Sequence, residues 1–261
     1  MAWITVGLIA ANLLVFLLWE PSFGSQGQQE DFFFCHAEIP YEISHQTNLA
    51  DGGTEAARAL AAGFDRTVSE AQRFQAFLAS KCGHKSWLSS VFVSMFLHAG
   101  WLHIGGNMLF LWVFGNNVED RLGKPLFLVF YLLGGVAATA LQVALAPSAV
   151  VPTLGASGAV AAILGAYAVM YPRARVTTLV FFFLITVIEL PALAVLGAWF
   201  VLQLFSGVGQ LGTNVNGGVA YWAHIGGFAA GALIAFLFFR PRPAPQARVD
   251  IGPFQPPSSG V

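Results

Sequence analysis

Residues 125–146 read PLFLVFYLLGGVAATALQVALA and contain no Asp, Glu, Lys or Arg. At ~1.5 Å of rise per residue, a helix of this length crosses the ~30 Å hydrocarbon core of a bilayer. The rest of the chain is written in the same style. Of 261 residues, 56% are hydrophobic and 10% charged, against ~25% charged in a soluble domain. Lipid is the natural solvent for such a chain, and a bilayer is its expected partner. The formal net charge of −1, without a basic stripe, gives no case for a nucleic-acid partner. No CxxC or His/Cys cluster has metal-ligand spacing, so no metal and no cofactor is expected.

Outward from this run, further spans are expected at about 102–118, 155–171 and 221–239, and a first span over residues 2–19. The run from Val176 to Phe205 is too long for one span, because ~30 helical residues extend ~45 Å. Glu189 and Pro191 interrupt it, and proline suits a helix start better than an interior. The fifth span is therefore expected at 191–207, with 177–188 lying along the membrane or re-entering it. This gives an all-α membrane protein, a six-transmembrane helix bundle. Its parts are a first helix over 1–19, a long extracytoplasmic loop with interfacial segments over 20–101, a core of five helices over 102–240, and a proline-rich, disordered cytoplasmic tail over 241–261. The apolar runs are expected to leave no room for a second folded unit. Cys35 and Cys82 lie in the long loop, where they form a disulfide or remain two separate thiols.

Short loops rich in Lys and Arg stay in the cytoplasm. Arg121 and Lys124 follow the second span, Arg173 and Arg175 the fourth, and Arg240, Arg242 and Arg248 the sixth. Both termini are then expected in the cytoplasm. The absence of a transit signal suggests a prokaryotic plasma (inner) membrane.

Polar residues within spans are expensive and point to function. His103, Asn107, Ser157 and His224 all fall near the starts of their spans, so the topology brings them to one depth near the outer face. Ser157 heads a helix in Gly155-Ala156-Ser157-Gly158, where unpaired amides can hold an oxyanion. Serine in a Gly/Ala-rich span is also a common packing residue. His224, Gly227 and Gly231 share a helix face, and Gly158, Ala161, Ala162 and Gly165 make a matching small face. Packing these faces brings a histidine base to a serine hydroxyl. His103 and Asn107 lie one turn apart and can donate to an oxyanion or form a polar clamp. His98 is expected to be interfacial and structural.

Three motifs in order, His98-Ala-Gly-Trp-Leu-His103-Ile-Gly-Gly-Asn107, Gly155-Ala-Ser157-Gly158 and Ala223-His224-Ile-Gly-Gly227, give a chain that resembles the rhomboid intramembrane serine proteases over residues 88–240. The resemblance implies a bundle of rhomboid type with Ser157 as nucleophile and His224 as general base. It also implies an oxyanion hole of His103, Asn107 and the Ser157 amide, and a structural role for Glu119 and Arg121. Transmembrane proteins would be the substrates. They would enter past the fifth span at Trp199 and Phe200, under a lid around Gly207–Tyr221. Many members carry an aromatic residue where this chain has Ala161, so another group, Trp222 or a neighbour, must orient His224. Oligomeric state and natural substrate are not readable. Two alternatives are a catalytically inactive rhomboid-like binding or quality-control protein, and a transporter or channel. The first lacks the serine or the histidine, and the second is disfavoured by polar residues gathered at one depth.

Overall fold

The computed structural model describes residues 2–83, 85–182, 184–210 and 219–239. Helices are α1 (Trp3–Leu18), α2 (Gln26–His36), α3 (Pro40–His45), α4 (Gly53–Phe64), α5 (Val68–Cys82), α6 (Trp87–Ser94), α7 (Trp101–Phe110), α8 (Asn116–Leu122), α9 (Lys124–Leu145), α10 (Ser157–Met170), α11 (Ala192–Gln210) and α12 (Tyr221–Phe238). Between α7 and α8 the chain continues as a π-helical turn over Leu111–Gly115. Helices thus occupy all six stretches read as spans. By length and composition, α9, α11 and α12 are long and apolar enough to cross a membrane, while α1 and α10 are shorter apolar helices. The expected tail over 241–261 lies outside the described residues.

The centre of the molecule is α10, nearly all of whose residues are buried. It packs on α9 and α12 through small residues. A side chain on Gly227 would collide with the Gly158 carbonyl, one on Gly231 with the Ala162 carbonyl, and one on Gly165 with the Phe228 carbonyl. The matching small faces read from the sequence therefore meet, with backbone against backbone. On the far side, the Glu119 carboxylate accepts hydrogen bonds from the Ile4 amide at 3.0 Å, the Thr5 amide at 2.7 Å and the Thr5 hydroxyl at 2.8 Å. It satisfies donors that the first turn of α1 leaves unpaired and meets the positive end of its dipole. Glu119 is structural, as expected.

Residues 175–191 depart from helix. Strand β1 (Arg175–Phe182) pairs antiparallel with β2 (Leu184–Pro191), with Thr177 opposite Glu189 and Arg175 opposite Pro191. The segment is rich in Val, Ile and Thr, which suit a pleated strand better than a helix. Arg175 Nε lies 3.5 Å from Glu189 Oε2 across the open end.

The long first loop has a core of its own, correcting the expectation that the apolar runs leave no room for one. Ile39, Tyr41, Leu49, Ala57, Leu60 and Leu78 are buried together. Capping boxes at Ser25/Gln28 and Thr67/Glu70 start α2 and α5. A disulfide joins Cys35 to Cys82, so of the two readings left open the bonded one holds. The Lys85 ammonium lies 2.7 Å from Glu42 Oε2, with both side chains almost fully buried. Burial pushes the Glu42 carboxyl up and the Lys85 ammonium down, each against the pull of the other.

This subdomain is strapped to the segment leading into α10. Glu38 and Thr153 form an antiparallel bridge, in which the Thr153 amide donates to the Glu38 carbonyl at 2.8 Å. The Tyr41 amide donates to Ala149 at 2.9 Å.

Candidate active site

Gly155 adopts φ +123°, a conformation that favours glycine. A Cβ there would also lie 2.7 Å from His103 Nε2. The Gly155 amide donates to the Ser94 carbonyl at 2.9 Å, and the Ala156 amide reaches His98 Nε2 at 3.5 Å. With 155 and 156 held this way, Ser157 becomes the first residue of α10. Its amide is one of the donors that a helix start leaves without an intrahelical partner.

Across the small-residue seam, His224 Nε2 lies 2.8 Å from Ser157 Oγ. The other ring nitrogen, Nδ1, lies 2.8 Å from Gln203 Oε1 on α11. An amide oxygen only accepts, so Nδ1 carries the hydrogen of a neutral ring. Nε2 is then left with its lone pair facing the serine hydroxyl. Trp199, one turn from Gln203, lies against the ring with centroids 5.8 Å apart. Gln203 and Trp199 thus orient His224 in place of the aromatic residue that Ala161 replaces.

His103 has the opposite tautomer. Its Nδ1 accepts from the Ala99 amide at 3.3 Å, so the hydrogen of the neutral ring is on Nε2, the nitrogen beside Gly155. His103, Ser157 and His224 all stand in the first turns of α7, α10 and α12, whose positive dipole ends converge there. Asn107 is one turn beyond His103 and is buried. Its amide donates to the His103 carbonyl at 2.9 Å, and it does not line the cavity described next.

A cavity of about 1000 Å³ opens over the serine–histidine pair. Its lining includes His103, Gly158 and Trp222 and, from the subdomain, Glu38, Ala59 and Ala62. Glu38 is 3% exposed. Burial pushes its carboxyl up to about 8, against the Thr139 hydrogen bond and the through-space pull of Lys85. His98, read from the sequence as interfacial and structural, is buried within the protein at 1% exposure. It precedes α7, where burial and then nearby His103 push its imidazole down to about 3. Its amide donates to the Glu20 carboxylate at 3.1 Å. Burial pushes the Glu20 carboxyl up to about 7.

Of the residues singled out in the sequence, Ser157, His224 and His103 come together and Asn107 lies behind them. Gln203 and Glu38 were missed. Gln203 carried a signal, being a strongly polar side chain in an otherwise apolar stretch. The stretch expected as a lid ends α11 at 207–210, and 211–218 lie outside the described residues. Among the described residues, no group of His, Cys, Asp and Glu could hold a metal ion.

These features define a helical membrane protein with a hydrogen-bonded serine–histidine pair at converging helix ends. The rhomboid domain family model matches residues 85–241, and the chain belongs to the rhomboid family. It is 32% identical over 149 residues to "Rhomboid protein 1, mitochondrial" of Saccharomyces cerevisiae, covering 55% of this chain and 40% of that protein. It is 30% identical over 135 residues to the human "Presenilin-associated rhomboid-like protein, mitochondrial", covering 49% and 36%. With "Rhomboid-like protein 11, chloroplastic" of Arabidopsis thaliana it shares 37% over 75 residues, covering 29% and 26%. The chain thus spans well under half the length of these relatives. Their names are organellar, which overturns the expectation of a prokaryotic plasma membrane, together with the assignment of both termini to the cytoplasm and of the site to the outer face.

Proposed function

We propose that the chain is an intramembrane serine endopeptidase that hydrolyses peptide bonds in or near transmembrane segments of other membrane proteins. The 2.8 Å approach of His224 Nε2 to Ser157 Oγ carries this reading. Ser157 attacks the scissile carbonyl while His224 takes its proton. The proton is then delivered to the leaving amine, and water releases the acyl group. His103 Nε2–H and the Ser157 amide stabilise the oxyanion. Asn107 is a second side-chain donor, ranked behind His103 because its amide already serves the His103 carbonyl. Gln203 positions the base, so the arrangement is a Ser–His dyad with a neutral third partner. Family membership and the six helical stretches support a six-span bundle, with 102–240 as its catalytic core. The relatives' names support an organellar membrane as its setting.

The test is cleavage of a single-span reporter by wild type beside Ser157→Ala in detergent, with a fluorophosphonate label on each. Cleavage and labelling by wild type alone establish the nucleophile. If wild type neither cuts nor labels, the protease reading fails and a binding protein with an inert site replaces it.

A further inference from the structure

Ser94 is the last residue of α6 and is buried. Its two oxygens serve different parts of the chain. The carbonyl, one of those that a helix end leaves without an intrahelical partner, accepts from the Gly155 amide at 2.9 Å. The hydroxyl oxygen accepts from the Glu38 amide of the first-loop subdomain. The Glu38 carbonyl in turn accepts from the Thr153 amide at 2.8 Å, and Thr153 is two residues before Gly155. These bonds close a ring, from Ser94 to Glu38, to Thr153, along the chain to Gly155 and back to Ser94. The ring fixes residues 153–155 at two points, one on α6 and one on the subdomain. Ser157 follows directly, and a catalytic group displaced by ~1 Å can lose ~10²-fold in rate. Without the Ser94 hydroxyl, the Glu38 amide is a buried donor that has lost its acceptor, and the subdomain is no longer tied to α6 at this point.

We infer that Ser94 is a positioning residue, whose hydroxyl joins the first-loop subdomain to the loop that presents Ser157, so that the folded subdomain is a working part of the active site. This rests on the protease reading. Ser94 does not touch the reacting atoms. It acts through Gly155, whose φ of +123° and bond to the Ser94 carbonyl set where α10 begins. The subdomain reaches the same loop through Thr153, and the hydroxyl keeps the two anchors in register.

The experiment measures the rate of fluorophosphonate labelling of Ser157, with kcat and KM for a single-span reporter. It uses wild type, Ser94→Ala and Ser94→Thr, each with and without the paired change Cys35→Ser and Cys82→Ser. Labelling reads the reactivity of the serine without a peptide substrate. Ser94→Ala should lower the labelling rate and kcat together by about tenfold, the worth of one hydrogen bond, with KM held. Ser94→Thr keeps the accepting oxygen, and the cavity that Ser94 lines has room for a methyl group, so the rates should return to those of wild type. Without the disulfide the subdomain is less firmly held, and the combined loss should fall short of the product of the separate losses. Should Ser94→Ala fail to fold, Ser94→Cys, of similar shape and with a sulfur that accepts only weakly, reads the same quantities. Losses that multiply, a labelling rate that does not change, or a loss that Thr does not recover would make Ser94 a packing residue, and the inference falls while the protease reading stands. If wild type neither cuts nor labels, both fall.

Discussion

Gln203 and His224 meet across two helices, with the amide oxygen 2.8 Å from the ring nitrogen that does not face Ser157. This contact sets both the tautomer and the ring plane. Gln203→Leu should lower kcat by about 10²-fold, the scale of a misplaced catalytic group, with KM little changed. Gln203→Glu keeps an accepting oxygen and should recover most of the loss. A variant that raised KM instead, or that Glu did not rescue, would show that Gln203 only packs. Steady-state cleavage of the reporter reads both parameters.

His103 offers Nε2–H beside Gly155 because its Nδ1 is occupied by the Ala99 amide. His103→Ala should cost about 10²–10³ in kcat, as for loss of one oxyanion donor. Ser157 should still bind substrate, so KM is expected to hold. The same variant made at Asn107 should cost less, since that amide is partly engaged. Equal losses at both positions would reverse the ranking.

The Ser157, His224 and His103 cluster was legible in the sequence because polar groups in lipid are costly and these stand at the starts of three apolar runs. The α10–α12 seam was legible for a related reason, since small residues at helical spacing announce close approach. The subdomain was not. Its core side chains, such as Ala56, Ala57, Leu60 and Ala61 on α4, sit in short apolar stretches broken by charges such as Glu55, Arg58, Asp65 and Arg66, so they form no run long enough to read as a span. Glu38 was hidden because only tertiary pairing with Thr153 carries it into the cavity wall. The β-hairpin was masked by apolar composition, which fits strand and span equally until β-branched residues are weighed.

The disulfide closes a sequence separation of 47 residues, for which chain-entropy arguments give about 4 kcal/mol. Cys35→Ser with Cys82→Ser should lower the melting temperature of the purified protein in detergent and expose the subdomain to limited proteolysis. Cys35 is three residues before Glu38, so reporter cleavage should fall with it. An unchanged melt would mean that the Lys85–Glu42 pair and the buried apolar residues suffice.

Glu20 and Glu38 are pushed up to about 7 and about 8, chiefly by burial. A carboxyl whose folded pKa is raised binds its proton more tightly in the folded state. Its contribution is complete below the unfolded value near 4.5 and is lost as pH rises through the folded values. The melting temperature should therefore be lower at about pH 8.5 than at about pH 5.5, and Glu38→Gln should shrink the difference. A melt that does not move across this window would show both carboxyls to be solvated.

The seam of Gly227, Gly231 and Gly165 against backbone carbonyls has a consequence for durability. The separation between Ser157 and His224 is gauged by main chain on main chain, with no rotamers to readjust. Replacing one lipid by another, or lipid by detergent, acts on outward side chains such as Leu233 and Leu237. The spacer that sets the serine–histidine distance is shielded from that exchange, so the pair stays in register when the surrounding solvent is replaced.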